Sequence, residues 1–203
     1  MGKDKIQEVT SIILLTRKNS PVDLRMISVI KNLQKSGIKV LALTNCATGR
    51  FGLIDNTENW RIAELHKHGY YFDKSWQKVK DINLKSLMQV TNDTNPIYKA
   101  GIVFVDQAGE KGPVLGAFLR YAKIKPKKII FIDDKAKNLL SVEEFAKQHN
   151  IKFIGIEYGK TLQVDGALNN DIAALQFDIL AKEKKWISDD EAAKILKNNC
   201  ANR

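Results

Sequence analysis

Short apolar runs alternate with segments of helical period along most of the chain. Four runs, at 38–44, 101–105, 127–132 and 151–158, have the length and near-continuous apolar character of strands buried on both faces of a sheet. Helical segments separate them. This alternation of strand and helix predicts an α/β fold with a parallel sheet flanked by helices.

Turn and capping residues set the predicted helix boundaries. Ser20-Pro21 starts a helix with apolar residues at helical spacing over 24–33, and Gly37 ends it. Other helices are predicted from Thr57 to about 68, over 111–123, from Ser141 to about 149, over 168–184 and over 188–199. The starts at 141 and 188 rest on capping boxes formed with Glu144 and Glu191. From about 70 to 100 the period is lost, which predicts a small cap-like insertion with short strands.

Length and composition fit a globular protein folded as one domain over 1–203. Hydrophobic residues make up 44% of the chain and charged residues 28%. No stretch is apolar for long enough to span a bilayer, and the first residues do not resemble a secretory signal. Cys46 and Cys200 lack metal-ligand spacing and predict a reducing, cytoplasmic compartment, unless a signal peptide has been lost from the N-terminus.

The net charge of +10 is compatible with nucleic-acid binding. The lysines are nevertheless spread along the whole chain, and their small clusters at 123–128 and 182–185 are not interleaved with aromatic residues. General surface charge therefore explains the composition better than a nucleic-acid site does. A membrane partner is not expected either.

Polar residues stand at the ends of predicted strands and starts of helices, where α/β proteins bind ligands. Thr44 and Asn45 end the run at 38–44, and a hydroxyl with turn amides there can hydrogen-bond a phosphoryl oxygen. Lys111 precedes Gly-Pro and a helix, so its charge and the helix N-terminus favour an anion. The alternatives are an ordinary turn residue at Thr44 and a solvated lysine at Lys111.

An acidic pair follows the run at 127–132. Asp133 and Asp134 are adjacent carboxylates, which repel each other unless a positive charge is shared between them. Mg²⁺ takes carboxylate and amide oxygens, and Asn138 lies one turn further along the chain. The sequence therefore predicts these three side chains as metal ligands, with an exposed turn capped by Asp134 as the alternative.

The three features occur in the order and spacing of known motifs. LQKSGIKVLALTN, EKGPVLGAFL and KPKKIIFIDDKAKNLLSVEEFA resemble the second, third and fourth motifs of the HAD (haloacid dehalogenase-like) superfamily. The resemblance covers roughly 24–158 and points to an uncharacterised bacterial branch classed as a domain of unknown function. The ending KKWISDDEAAKIL resembles that branch as well. The implied fold is a HAD-like Rossmannoid parallel sheet.

The resemblance implies a phosphohydrolase that uses Mg²⁺ to cleave a small phosphorylated substrate. In that family an aspartate attacks phosphorus, and a second aspartate two residues on acts as general acid and base. Thr44 and Asn45 would hold the phosphoryl oxygens, and Lys111 would steady the nucleophile and the phosphate. Asp133, Asp134 and Asn138 would help to hold the metal.

The first motif of that family, an apolar strand ending in Asp-x-Asp, is missing from the sequence. The run SIILLT at 11–16 ends in no acid, and Asp106 has an alanine two positions on and is interpreted as a turn residue. We therefore expect a fold without its first, central strand, in a chain truncated at the N-terminus by a shortened reading frame, a wrongly chosen start codon or a decayed split gene. Such a gap leaves two strand edges unpaired.

Three functions are compatible with these observations. The first is a HAD-like phosphohydrolase domain that is inactive as this chain because the strand bearing the nucleophile is absent. The second is a non-catalytic binder of a phosphorylated ligand through Thr44 and Lys111, or a decayed remnant of such an enzyme. The third, and the least supported, is a basic nucleic-acid-binding protein.

Overall fold

The structure, a computed structural model, describes residues 2–88, 94–106, 109–159 and 169–201. Its helices are α1 (Lys3–Thr16), α2 (Arg25–Lys35), α3 (Thr57–Lys67), α4 (Lys111–Tyr121), α5 (Ala136–Gln148), α6 (Asn170–Glu183) and α7 (Asp189–Ala201). Its strands are β1 (Ala42–Thr44), β2 (Ile82–Asn83), β3 (Ile97–Lys99), β4 (Ile102–Phe104), β5 (Lys128–Asp133) and β6 (Lys152–Glu157). Single 3₁₀ turns lie at Asp73–Ser75 and Lys85–Leu87.

The chain forms two compact units. The first, a helical unit, combines Met1–Ser20, Arg50–Asp55 and Val164–Arg203, and the second, a sheet unit, combines Pro21–Gly49 with Asn56–Gln163. Helices α1, α6 and α7 belong to the helical unit, and the six strands belong to the sheet unit. The single domain predicted over 1–203 stays a prediction.

The run at 11–16 is helical, not a strand. It forms the second half of α1, where Ile12 is 3% exposed. The fully buried Ser11 hydroxyl donates to the carbonyl of Glu8 at 2.6 Å and accepts the N–H of Leu53 at 2.9 Å. This pair of bonds satisfies a buried polar group and attaches a loop of the helical unit to α1.

A capping box begins α7, as the sequence predicts. The N–H of Ser188 donates to Oε2 of Glu191 at 2.9 Å, and the N–H of Glu191 donates to Oγ of Ser188 at 3.3 Å. The N–H of Ser188 and its hydroxyl, which also donates to Oε2 at 3.0 Å, hold the pKa of the exposed Glu191 carboxylate below its usual range. The buried Gln176 of α6 also donates to the Ile187 carbonyl at 3.0 Å, so the turn between α6 and α7 is fixed from both sides.

The strands of the sheet unit form two separate sheets. One has the order β1-β4-β3-β2, in which β1 and β4 are parallel while β3 is antiparallel to both β4 and β2. The other contains only β5 and β6, which are parallel and paired over six residues. The α/β class with parallel pairing is therefore confirmed, whereas the four-stranded sheet is mixed. Whether the two sheets represent a HAD-like Rossmannoid arrangement stays a prediction.

Aromatic side chains from the segment 70–100 lie in the core of the sheet unit. Tyr98, 1% exposed, stacks on Phe118 of α4 with ring centroids 4.5 Å apart, and Trp76 meets the same ring edge-on at 5.0 Å. The indole N–H of Trp76 donates to the Val40 carbonyl at 2.7 Å, so its polar edge is satisfied. The segment does contain short strands, and these extend the mixed sheet. Its role as a cap stays a prediction.

Helices α4 and α5 approach closely because glycines lie between them. A β-carbon at Gly112 would overlap the carbonyl oxygen of Ser141, and one at Gly116 would lie 2.6 Å from a ring carbon of Phe145. The N–H of Gly112 donates to Oγ of Ser141 at 2.9 Å. The capping box predicted at Ser141 is therefore wrong, since α5 already begins at Ala136 and the Ser141 hydroxyl bonds another helix instead.

We expect Gly112→Ala to lower the free energy of unfolding of the sheet unit. Alanine gains up to about 1 kcal/mol of helix propensity, but overpacking against a backbone carbonyl costs about 1–3 kcal/mol, and the fixed carbonyl makes the second effect the larger. Urea denaturation measures the difference. Gly159→Ala is the matched control, because a β-carbon there has no atom within 4 Å; equal stability of the two variants would show that α4 and α5 can separate without cost.

Candidate functional site

The end of β1 presents polar groups in a tight turn. The Thr44 carbonyl accepts the N–H of Val105 at 2.7 Å, which anchors the strand to β4. The Thr44 hydroxyl oxygen accepts the N–H of Cys46 at 3.3 Å, so its own hydrogen is directed elsewhere. Oδ1 of Asn45 is buried and has no hydrogen-bond partner within the described part of the chain. A buried polar atom without a partner is costly, and it marks a position where a ligand would be favoured.

Lys111 is the first residue of α4 and is buried, with 7% of its surface exposed. Its ammonium donates to the carbonyl of Leu43 at 2.8 Å and to Oδ2 of Asp133 at 2.6 Å. Nζ also lies 5.5 Å from the ring centre of Phe131. The alternative of a solvated lysine is therefore wrong, and Lys111 joins the end of β1 to the end of β5.

Asp133 is the last residue of β5 and is held by three donors. Oδ2 accepts from Lys111, while Oδ1 accepts the amide of Asn138 at 2.8 Å and the N–H of Lys135 at 3.0 Å. Burial favours the protonated carboxyl, but the hydrogen bonds from Lys111, Asn138 and Lys135 outweigh it and hold the pKa of Asp133 below its usual range. Asp133 is therefore a carboxylate neutralised by a lysine.

The N-terminus of α4 offers fewer free donors than the sequence suggests. The N–H of Gly112 is already bonded to Ser141, and Pro113 has no N–H to donate. Glu110, which precedes the helix, is exposed. An anion at this point would thus depend mainly on the Lys111 side chain and less on helix amides.

The predicted metal ligands do not form an open magnesium site in this arrangement. Asp133 is engaged by three donors, and Asn138 directs its amide nitrogen, not its oxygen, at that carboxylate. Asp134 is exposed. Across the described ranges no group of three or more His, Cys, Asp or Glu side chains is placed to hold a metal. The Mg²⁺ prediction stays a prediction that needs carboxylates beyond these side chains.

Several residues at the site carry no signal in the sequence. The Leu43 carbonyl bonds Lys111 and the Ser141 hydroxyl bonds Gly112 only because the fold brings them together. Burial raises the pKa of the Cys46 thiol, and Arg61 of α3 beside it partly opposes that effect. Asp106 behaves as the turn residue that the sequence indicates, since it has φ +67° and its carboxylate accepts the N–H of Asn95 at 3.0 Å.

Comparison with known proteins places most of the chain in one family. A family model described as "Protein of unknown function (DUF2608)" matches residues 1–193. The uncharacterized protein RP296 of Rickettsia prowazekii is 25% identical over 193 residues, which cover 94% of this chain and 68% of the relative. No solved structure matches the chain.

In two chlamydial relatives, the match covers a smaller share of the relative's length. Both carry the name "Putative outer membrane protein": the one from Chlamydia pneumoniae is 28% identical over 68% of this chain, and the one from Chlamydia trachomatis 30% identical over 60%. The matches span 57% and 46% of those relatives. In the described residues we find no helix with the length and apolarity needed to cross a membrane. The cytoplasmic location stays a prediction.

We expect removal of one partner of the Lys111–Asp133 pair to destabilise the sheet unit more than removal of both. Lys111→Met leaves a buried carboxylate without its cation, which costs about 3–5 kcal/mol, whereas replacing a buried pair with apolar residues is often neutral. The measurement is chemical denaturation of Lys111→Met, Asp133→Leu and the double variant. Additive losses in the double variant would show that the two groups are not coupled.

We also expect the contribution of Asp133 to the free energy of unfolding to depend on pH. Because its folded pKa is depressed, the stabilisation is complete above the unfolded pKa, about 3.9, and is lost as the pH falls through the folded pKa. The free energy of unfolding of the wild type minus that of Asp133→Asn should therefore be constant near neutrality and shrink below pH of about 4. A difference that does not change down to acid unfolding would contradict the depressed pKa.

Proposed function

We infer that this chain, which belongs to the DUF2608 family, is a HAD-like phosphohydrolase domain that binds a phosphate monoester but does not hydrolyse it as this chain. The observation that carries the proposal is the buried ammonium of Lys111 between the Leu43 carbonyl and Asp133. It stands at the carboxyl ends of two strands, where α/β proteins place their ligands. The activity, the substrate and the partners of the longer relatives remain separate questions, since this chain matches only part of each.

Unused hydrogen-bonding capacity at the site supports phosphate binding. Of the three N–H bonds of the Lys111 ammonium, two are directed at Leu43 and Asp133, which leaves one for a phosphoryl oxygen. The Thr44 hydroxyl accepts from Cys46 and retains its own hydrogen as a donor. Asn45 contributes a side-chain amide whose oxygen is buried without a partner and whose orientation can be reversed to present its nitrogen. Donors of these kinds, an ammonium, a hydroxyl and an amide, are those that bind phosphoryl oxygens in proteins.

The same geometry argues against hydrolysis by these residues. The carboxylate in contact with Lys111 is Asp133, and its lone pairs are directed at three donors that lower its pKa. Those bonds make it a poor nucleophile and a poor base, because reaction at Oδ2 would cost the bond from Lys111 and reaction at Oδ1 would compete with the bonds from Asn138 and Lys135. Asp134 is exposed and does not reach Lys111 by any described contact. Binding without turnover is therefore the function that the described side chains support.

We expect the chain to bind phenyl phosphate, with the affinity dependent on Thr44 and Lys111. Loss of a neutral hydrogen bond in Thr44→Val should weaken binding about 2- to 10-fold, and loss of a charged donor in Lys111→Met/Asp133→Leu about 10- to 100-fold. The double variant keeps the net charge and avoids a buried unpaired carboxylate. Isothermal titration calorimetry measures the affinities. Thr44→Ser retains the hydroxyl and should bind like the wild type.

A turnover assay on the same preparation tests the other half of the proposal. With Mg²⁺ and p-nitrophenyl phosphate, the chain should release no more nitrophenol than buffer does. Hydrolysis that disappears in Asp133→Asn would show that a nucleophile is present and that the chain is an active phosphatase. Absence of both binding and turnover would contradict the phosphate-binding proposal and favour the decayed remnant.

A further inference from the structure

The sheet unit contains a cleft between the first turn of α3 and the paired strands β2 and β3. Tyr98 of β3 packs on Phe118 of α4, so one face of this strand pair is turned toward α4. Because successive side chains of a strand point to opposite faces, Asn83 and Ile97, which are in register, lie on the other face. Both residues line the cleft, whose volume is about 280 Å³.

Glu58, the second residue of α3, is a buried carboxylate that lines this cleft. The residue is 2% exposed, and its Oε1 accepts the N–H of Gly49 at 3.0 Å. Oε2 is buried as well and has no hydrogen-bond partner among the residues that the structure describes. The last torsion of a glutamate side chain is broad, so a small turn of the carboxylate presents Oε2 to a donor in the cleft. A buried oxygen of this kind is costly unless a donor reaches it.

The amino end of α3 offers little to an anion. The N–H of Thr57 donates to the Gly49 carbonyl at 2.9 Å, and the N–H of Asn59 donates to Oδ1 of Asn56 at 2.7 Å. Two of the helix amides with which an anion would bond are therefore occupied. The carboxylate of Glu58 beside them repels negative charge, so this end of the cleft favours a cation.

The two strands add one charge of each sign to the lining of the cleft. Oδ1 of Asp81 accepts the N–H of Ala100 at 3.2 Å, and Asp81 lies across from Lys99 when the register of β2 and β3 is extended by one residue. Within the described residues the side chains of Asp81 and Lys99 form no ion pair with each other or with another group. Together with Glu58, the lining therefore has one negative charge in excess.

A single water molecule or a metal ion fits this cleft less well than an organic cation does. One water fills about 30 Å³ and would leave most of the space empty. A hard metal ion needs several free oxygen ligands, whereas Oδ1 of Asn56 and Oδ1 of Asn83 each accept a backbone N–H already. The ammonium of Lys99 also repels a doubly charged ion more strongly than a singly charged one. The apolar side chain of Ile97 suits a ligand with a carbon chain.

We propose that this cleft binds a small aliphatic ammonium, which donates a hydrogen bond to Oε2 of Glu58 and lays its carbon chain against Ile97. Asp81 attracts the same charge from the opposite wall. A hydrogen bond between charged groups supplies the partner that Oε2 lacks. The site shares no side chain with the phosphate site at Thr44 and Lys111, so it is a second binding function of the sheet unit.

The test is a titration of the whole chain with n-butylammonium chloride in a buffer without phosphate, followed by two-dimensional NMR of the backbone amides. We expect saturable binding that shifts the Gly49 resonance, because the Gly49 N–H is bonded to the carboxylate that receives the ligand. Butyltrimethylammonium has the same charge but no N–H, and n-butanol has no charge. Each should bind at least about ten-fold more weakly. Equal binding of butyltrimethylammonium would overturn the proposal, since general attraction to negative charge would then explain the result.

Two protein variants give effects of opposite sign. Glu58→Gln keeps an oxygen for the Gly49 N–H but removes the charge, and should weaken butylammonium binding at least about ten-fold. Lys99→Met removes a repelling charge and should strengthen binding about two- to five-fold. Glu183→Gln, at an exposed position of α6 in the helical unit, loses the same charge as Glu58→Gln and should bind like the wild type.

Urea denaturation verifies that the variants are folded, and we expect Glu58→Gln to be at least as stable as the wild type, because it no longer buries an unpaired charged oxygen. Unchanged binding in Glu58→Gln would overturn the proposal. Weaker binding in Lys99→Met would do so as well, because it would identify the ligand as an anion; this result is decisive even if Glu58→Gln does not fold. Displacement of butylammonium by an equal concentration of Mg²⁺ would make the cleft a metal site instead. The absence of phosphate separates all these outcomes from the phosphate-binding test.

Discussion

The sheet unit depends on one buried ion pair, in which Lys111 at the start of α4 meets Asp133 at the end of β5. The ammonium also holds the carbonyl at the end of β1, and the carboxylate also holds Asn138 on α5. Two sheets that share no ladder are thus joined through side chains at their carboxyl ends. A buried pair of this kind contributes little net stability, yet the loss of either partner is expensive. The ion pair therefore contributes more to the relative placement of the two sheets than to the net stability of the sheet unit.

The same pair places a limit on chemistry. A lysine that fully neutralises its neighbouring carboxylate cannot at the same time present a whole positive charge to a phosphate. Binding at this point must rely on the remaining N–H of Lys111 and on Thr44, and hydrolysis needs a carboxylate that these residues do not supply. The ion pair and the proposed phosphate site would draw on the same few atoms, so a change that improves one would usually disturb the other.

The sequence predicts which residues are polar at strand ends, but not how they pair. Thr44, Lys111 and Asp133 are conspicuous because each interrupts or ends an apolar run, and the structure brings Lys111 and Asp133 into contact. Their partners cannot be recognised in the sequence. A backbone carbonyl such as that of Leu43 has no sequence signature, and the fold alone determines that it meets Lys111. Long-range pairing of this kind is invisible to local patterns.

Local sequence patterns also give wrong predictions where the same residues fit two different structures. Ser141 and Glu144 have capping-box spacing, but tertiary packing against Gly112 uses the hydroxyl in the middle of a helix. The apolar run at 11–16 has the composition of a strand, but together with the polar residues before it, it forms the second half of α1. The predicted strand at 38–44 shortens to three residues, since only 42–44 have a neighbour with which to form a ladder.

The aromatic core has a consequence for how this family can diversify. Trp76 and Tyr98 pack on the same ring of α4, so the irregular segment from 70 to 100 supplies side chains to the interior of the sheet unit. A surface loop can be exchanged, lengthened or deleted with little penalty, but a segment that supplies core side chains must change together with its neighbours. At the proposed phosphate site, a change of ligand preference would arise by substitution at the rim, one side chain at a time, and not by grafting a different insertion.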